Sequence, residues 1–167
     1  VVGRVLTGLS PLPREAEPLL RPLTRWLRAR AREYSGIEFG EALVGLQQVA
    51  AQAIQTLDAY DAVLTPTLAQ LPAAVGAIRN DDDPAADFAA QVRFTPFTAQ
   101  WNVTGMPAVS LPTGWATVDG VTLPIGVMLG GRPAEEHVLY ALAAQVEQAC
   151  STPGNPWNRP ELPTRFR

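Results

Sequence analysis

A long apolar stripe followed at once by a short apolar run constrains the fold of this chain more than any other feature. The stripe repeats at the spacing of one helix face and comprises Phe39, Leu43, Leu46, Ala50, Ala53 and Leu57. Ser35 and Glu38 have the spacing of a capping box, in which a hydroxyl and a carboxylate satisfy backbone N–H groups at a helix start. The sequence therefore predicts a helix from Ser35 to about Asp58 with its stripe in a core. The alternative is a helix whose stripe binds a partner.

Residues 60–67 follow this helix directly and have the composition of a short buried strand that Pro66 terminates. A helix that leads straight into such a strand is typical of layered α/β proteins. We therefore predict an α/β fold in which helices pack on a central sheet. The 167 residues are compatible with one domain.

The N-terminal third predicts an extended lead over residues 1–13 and then a helical pattern from Arg14. One face of this pattern is apolar and consists of Leu19, Leu23, Trp26 and Leu27. The six arginines between positions 14 and 32 are accompanied by Glu15, Glu17 and Glu33, so a solvated face is favoured over a site for an anionic partner. Residues 153–167 contain four prolines and predict an extended tail.

The middle of the chain predicts a turn and two short helices. The acidic run at residues 80–83 lacks the alternating ligand spacing of a calcium loop, so we favour a turn in which Asp83 caps a helix that starts at Pro84. In the stretch 94–112, Thr95 or Pro96 is expected to start a short helix that Gly105 ends.

Two apolar runs and a last helix complete the pattern. Residues 108–111 and 123–129 predict strands, either paired as a hairpin or side by side in a larger sheet, and residues 112–122 are rich in turn formers. The Gly-Gly-Arg-Pro sequence at 130–133 then starts a helix. Its predicted buried face is Val138, Leu142 and Val146.

No self-sufficient catalytic centre is evident in these residues. His137 and Cys150 are the single histidine and the single cysteine, and thirteen positions on one helix separate them by about 20 Å. The chain has no lysine, no Gly-x-Ser-x-Gly elbow and no phosphate-binding loop. We therefore expect no cofactor, no metal site and no catalytic residue within the chain.

Charge and hydropathy exclude further classes of function. A net charge of −3 argues against general affinity for nucleic acid, and the apolar runs fall far short of the ~20 residues that cross a bilayer. The chain has one cysteine, and its first residues are not a basic segment followed by a long apolar one. The sequence therefore favours a cytoplasmic location. The first residue is not Met, so we expect the chain to be a piece of a longer protein.

Several segments, in the same order and spacing, resemble the C-terminal region of the amidase signature family. The matching segments are residues 60–67, 94–97, 102–112, 123–130, 135–147 and 156–160. The resemblance implies an α/β fold with a large mixed sheet, of which this chain is about the last third. It also implies hydrolysis of carboxamides by a serine nucleophile, a bridging serine and a lysine base, with an oxyanion hole from a Gly/Ser-rich loop. None of these groups matches a residue of this chain, so no catalytic residue is carried over.

The resemblance further implies that the C-terminal region shapes the acyl side of the substrate pocket. By position, Phe94, Thr95, Trp101 and Asn102 are the candidates for substrate binding. The alternative is that Phe94 and Trp101 are core residues and that Asn102 caps a turn. Relatives that use glutamine as a substrate carry an acidic residue at the position of Thr95, where it binds the amino group of the substrate. The absence of this acidic residue favours a neutral or apolar amide as substrate.

We therefore expect a C-terminal amidase fragment that is inert alone, with a small amide as substrate of the whole enzyme. The competing interpretation is a scaffold domain that reuses the same lobe without catalysis. A fragment of this kind would leave apolar surface and strand edges uncovered. Its expected partner is the missing N-terminal part of the enzyme or a second copy of itself, with no nucleic acid and no membrane.

Overall fold

The structure, a computed structural model, describes residues 13–152 and divides them into two compact units. Residues 13–52 and 73–94 form the first unit, and residues 53–72 and 95–152 form the second. The predicted lead, apart from Pro13, and the predicted tail lie outside the described residues. The elements in chain order are a 3-10 helix Arg14–Leu19, α1 Pro22–Ala31, α2 Gly36–Leu57, β1 Val63–Pro66, α3 Pro84–Phe94, α4 Ala99–Thr104, β2 Ala108–Val118, β3 Val121–Gly130 and α5 Glu136–Cys150.

In the first unit, α1 packs against α3, with the rings of Trp26 and Phe88 5.9 Å apart. The predicted solvated face is wrong for Arg28, whose guanidinium is buried and donates from Nε to both carboxylate oxygens of Glu17 at 3.1 Å. The carboxylate compensates the buried charge. Leu19 was predicted on the apolar face but is 85% exposed, because it ends the separate 3-10 helix before α1 begins at Pro22.

The capping box at the start of α2 is confirmed. Glu38 Oε2 accepts from the Ser35 backbone N–H at 2.7 Å, and Ser35 Oγ accepts from the Glu38 N–H at 3.2 Å. The backbone bond from Ser35, followed by its hydroxyl, holds the pKa of Glu38 below its ordinary value. The predicted burial of the stripe is found only in part: Leu57 packs against the cluster of Trp101, Met106 and Met128, but no residue of α2 is fully buried and Leu43 is 38% exposed.

The acidic run before α3 forms the predicted capping turn. Asp83 Oδ1 accepts from the Ala86 N–H at 3.0 Å, and Asn80 Oδ1 accepts from the N–H groups of Asp82 and Asp83. The buried carboxylate of Asp87 accepts from the Asn80 N–H and from the Gln91 side chain. No cluster of three metal-ligating side chains occurs within residues 13–152.

In the second unit, three antiparallel strands form a sheet in the order β1, β3, β2. Of the two arrangements left open by the sequence, the hairpin is correct. The turn-rich segment 112–122 is nevertheless mostly strand, with a bulge between Pro112 and Gly114. The turn itself is only Asp119-Gly120, whose φ angles of 51° and 78° match a tight hairpin turn.

The helix α5 covers one face of this sheet. Leu139 and Ala143 are buried against Leu111 of β2 and Leu129 of β3. The predicted residues Leu142 and Val146 pack around this cluster and are half-buried, whereas the centre of the face lies one residue further along, at Leu139. The prediction therefore identifies the correct side of α5, but the centre of the buried face is shifted by one residue.

The short helix α4 lies in the second unit and starts later than predicted. Residues 96–98 form a turn, so α4 begins at Ala99 and not at Thr95 or Pro96. Its predicted end is confirmed, because Gly105 takes the left-handed conformation with φ 70°. No helix within residues 13–152 has the length and hydropathy required to span a bilayer.

The contact between Trp101 and Gly130 yields a first testable expectation. A Cβ atom on Gly130 would lie 2.0 Å from the indole ring, so Gly130→Ala should lower the free energy of unfolding by at least about 2 kcal/mol. Urea unfolding measures the loss. Gly45→Ala in α2 is the matched control, because a Cβ there meets no atom within 4 Å and should not destabilise the chain. Equal losses in both variants would contradict the assigned contact.

The Arg28–Glu17 pair predicts how stability depends on pH. The hydrogen bond from Arg28 holds the pKa of Glu17 below its ordinary value of 4.5. Stability from this pair is therefore present above pH 4.5 and is lost as the pH falls through the lowered folded-state pKa. Thermal unfolding between pH 6 and 3 should show a shallower loss of stability for Glu17→Gln than for the unchanged chain. The exposed Glu147→Gln is the charge-matched control and should keep the original slope.

Candidate functional site

The sheet face opposite α5 is covered near Gly130 by the apolar cluster of Trp101, Met106 and Met128, and it carries hydroxyl groups around Gly126. Paired residues of antiparallel strands share a face, so Thr65 of β1, Met128 of β3 and Ser110 of β2 form one row across it. In the next row Gly126 of β3 pairs with Pro112, and its carbonyl accepts from the Thr67 N–H at 3.1 Å. This face therefore presents polar side chains around Gly126, a strand position without a side chain.

The hydroxyls of Thr67 and Ser110 meet above Gly126. Their oxygens are 2.7 Å apart, and either can be the donor. A Cβ atom on Gly126 would lie 2.8 Å from Thr67 Oγ1 and 3.2 Å from Ser110 Oγ. The hydroxyl pair is thus possible because the central strand has a glycine between the two.

A cleft of about 300 Å³ opens over this pair, and we call it the Gly126 cleft. Its polar lining comes from Thr67, Ser110 and the amide of Gln70. Its apolar walls are Leu68, Leu71, Pro72, Pro112, Pro124 and Ile125. None of the ten lining residues has a titratable side chain, so the cleft can bind and orient an uncharged molecule but has no base to activate a nucleophile.

The four residues predicted to bind substrate do not line this cleft. Phe94 ends α3 in the first unit and is half-buried, while Thr95, Trp101 and Asn102 belong to the second unit. Thr95 is half-buried in the link to α4, and Asn102 is exposed on α4. Their contact with a substrate stays a prediction.

Trp101 lies in a core cluster with Met106 and Met128, and its ring covers Gly130. The alternative interpretation, in which Trp101 is a core residue, predicts this burial. Its indole Nε1 is nevertheless buried without a hydrogen-bond partner among the described residues, as is the hydroxyl of Thr65. Asn102 lies inside α4, whose end is closed by Gly105 and by the Thr104 hydroxyl that donates to the Gln100 carbonyl at 2.8 Å.

His137 and Cys150 lie on one helix, as predicted. His137 is exposed in the first turn of α5, and Cys150 is its last residue. They are at opposite ends of fifteen residues, so the geometry excludes a Cys/His catalytic pair between them.

Sequence reasoning missed the Gly126 cleft. The available signal was a glycine inside an apolar strand, which often marks close approach by another group. The group that approaches cannot be identified from sequence, because Thr67 and Ser110 are 43 positions apart.

Comparison with known proteins provides an independent line of evidence. The family described as Amidase matches residues 13–140. The putative amidase AmiB2 of Mycobacterium tuberculosis (strain ATCC 25618 / H37Rv) is 37% identical over 159 residues, which cover 92% of this chain and 32% of the relative. The chain thus spans about one third of the length of such curated relatives.

Two solved structures of 6-aminohexanoate cyclic dimer hydrolase have a similar fold. One superposes with a TM-score of 0.77 at 23% identity and covers 98% of this chain and 35% of that protein. The other, complexed with substrate, superposes with a TM-score of 0.71 at 26% identity and covers 89% and 30%. The predicted fold class, an α/β arrangement of the amidase type, is confirmed.

Proposed function

The chain belongs to the amidase family, and from this premise we propose that it is the substrate-shaping part of a hydrolase that cleaves an uncharged carboxamide. The reaction breaks the C–N bond and yields a carboxylate and ammonia or an amine. The observation that carries this proposal is the family match over residues 13–140.

We propose that the catalytic groups lie outside this chain. The sequence contains no lysine, so it cannot supply the base of a Ser-Ser-Lys mechanism. In such a mechanism the serine oxygen attacks the carbonyl carbon, the amine leaves with a proton, and water then hydrolyses the acyl-enzyme. The contribution of this chain is shape and polarity around the substrate.

A neutral amide is the proposed substrate class. Thr95 provides no negative charge for a substrate amino group, and no titratable side chain lines the Gly126 cleft. One structural relative is described as acting on the cyclic dimer of 6-aminohexanoate, which supports an amide substrate for a protein of this fold. The competing function is a non-catalytic scaffold, which is equally compatible with a cleft that no titratable side chain lines.

Ammonia release distinguishes the two functions. The 167-residue chain should release none from hexanamide or benzamide, because it has no lysine base, whereas the natural protein of full length should release it from at least one. Ser-dependent hydrolysis by the pure chain would contradict the assignment of catalysis to other residues. Failure of the full-length protein on both amides and on a panel of other neutral amides would favour the scaffold.

Asn102 tests the predicted contribution of α4. In the full-length protein, Asn102→Ala should lower kcat/KM for the preferred amide about tenfold, the loss of one hydrogen bond to substrate. Val103→Ala is the matched control on the next position of α4, where the side chain is 37% exposed, and should change kcat/KM less than about twofold. Equal effects of both variants would show that Asn102 contributes only to the stability of the helix.

A further inference from the structure

We propose that the Gly126 cleft is a binding subsite for a small uncharged carboxamide with an apolar substituent. This inference rests on the proposed function for the class of ligand, and on the geometry of the cleft for its location. It assigns ligand contacts to Thr67 and Ser110, which lie outside the set of residues predicted from sequence.

The first argument is the absence of charge. An ionised group that enters an open cleft with apolar walls gives up part of its hydration and, without a counter-charge, gains no ionic partner in return. The ten residues that line the cleft offer hydroxyls, one amide and apolar side chains, but no titratable group. A carboxylate or an ammonium group is therefore disfavoured here, while a neutral group is not.

The second argument is the hydrogen-bonding capacity of the hydroxyl pair. When one hydroxyl of Thr67 and Ser110 donates to the other across 2.7 Å, the accepting hydroxyl retains its own proton for a further bond. The donating oxygen retains its lone pairs. The pair therefore presents one donor and one acceptor side by side, and a primary or secondary carboxamide presents the complementary C=O and N–H.

The third argument is size and rigidity. A volume of about 300 Å³ is at the lower end of the range for small-molecule sites. Three prolines, at positions 72, 112 and 124, stiffen the walls, and Gly126 keeps the floor at backbone level. The cleft suits a single amide with one ring or a short aliphatic chain.

The experiment uses the whole 167-residue chain and fluorine NMR with three para-substituted fluorobenzenes. These are 4-fluorobenzamide, 4-fluorobenzoate and 4-fluorotoluene, which carry a neutral amide, a carboxylate and a methyl group. We expect saturable binding of the amide, at least about tenfold tighter than that of the carboxylate. Equal affinity for amide and carboxylate, or no saturable binding of the amide, overturns the proposal.

Variants locate the binding. Gly126→Ala should weaken amide binding at least about tenfold, because its Cβ displaces the hydroxyl pair and raises the floor, while Gly45→Ala should leave the affinity unchanged. If Gly126→Ala fails to fold, the double variant Thr67→Val with Ser110→Ala removes both hydroxyls at nearly constant volume. The double variant should weaken binding of the amide at least about fivefold and change the affinity for 4-fluorotoluene less than about twofold. The proposal is overturned if the loss of both hydroxyls leaves the affinity for the amide unchanged.

Turnover separates this inference from the proposed function. If the full-length protein hydrolyses benzamide but the cleft variants bind the amide normally, the subsite is wrong and the proposed function stands. If amide binding follows the expected pattern but the full-length protein hydrolyses no amide, the proposed function is wrong and the binding site stands. A segment of the full-length protein seated in the cleft would abolish probe binding there and overturn the subsite.

Discussion

Close approach to the central strand β3 is the constraint on which the second unit depends. The Trp101 ring lies against Gly130, Leu139 of α5 lies within 3.0 to 3.3 Å of a Cβ position on Gly131 just after the strand, and two hydroxyls meet over Gly126. A side chain at Gly130 or Gly131 would push Trp101 or Leu139 away from the strand, and one at Gly126 would displace the two hydroxyls. Gly130 and Gly131 therefore determine how closely α4 and α5 approach β3, and Gly126 leaves room for the hydroxyls of Thr67 and Ser110 above it.

The features that depend on a few neighbouring residues were predictable from sequence. The Ser35–Glu38 box, the Asp83 cap and the Gly105 helix end each involve contacts within three or four positions, and each is present. The hairpin was one of the two predicted arrangements, but the position of its turn was not predicted: Asp119-Gly120 is a strong hairpin signal, yet it lies in a segment with other glycines, prolines and threonines.

The features that were not predictable depend on residues far apart in sequence. The burial of Arg28 requires Glu17, which lies in a separate 3-10 helix eleven positions earlier. The burial of a helix stripe depends on what packs against it, so periodicity alone predicted the helix α2 correctly and its degree of burial incorrectly. For the site, the sequence indicated that Trp101 and Asn102 share a helix, but it could not show that Trp101 faces Gly130 or that Thr67 reaches Ser110.

The distance in sequence between the two hydroxyls also has a consequence for the order of folding. Strands β2 and β3 are joined by a two-residue turn, so their pairing closes a very short loop, whereas β1 must be brought to β3 across more than fifty intervening residues. Closure of the longer loop carries the larger entropic cost and follows once the hairpin offers a template. We therefore expect Thr67 to meet Ser110 only when β1 pairs with the completed hairpin. The hydroxyl pair is therefore a marker of the completed sheet, absent from any partly folded state that contains the hairpin alone.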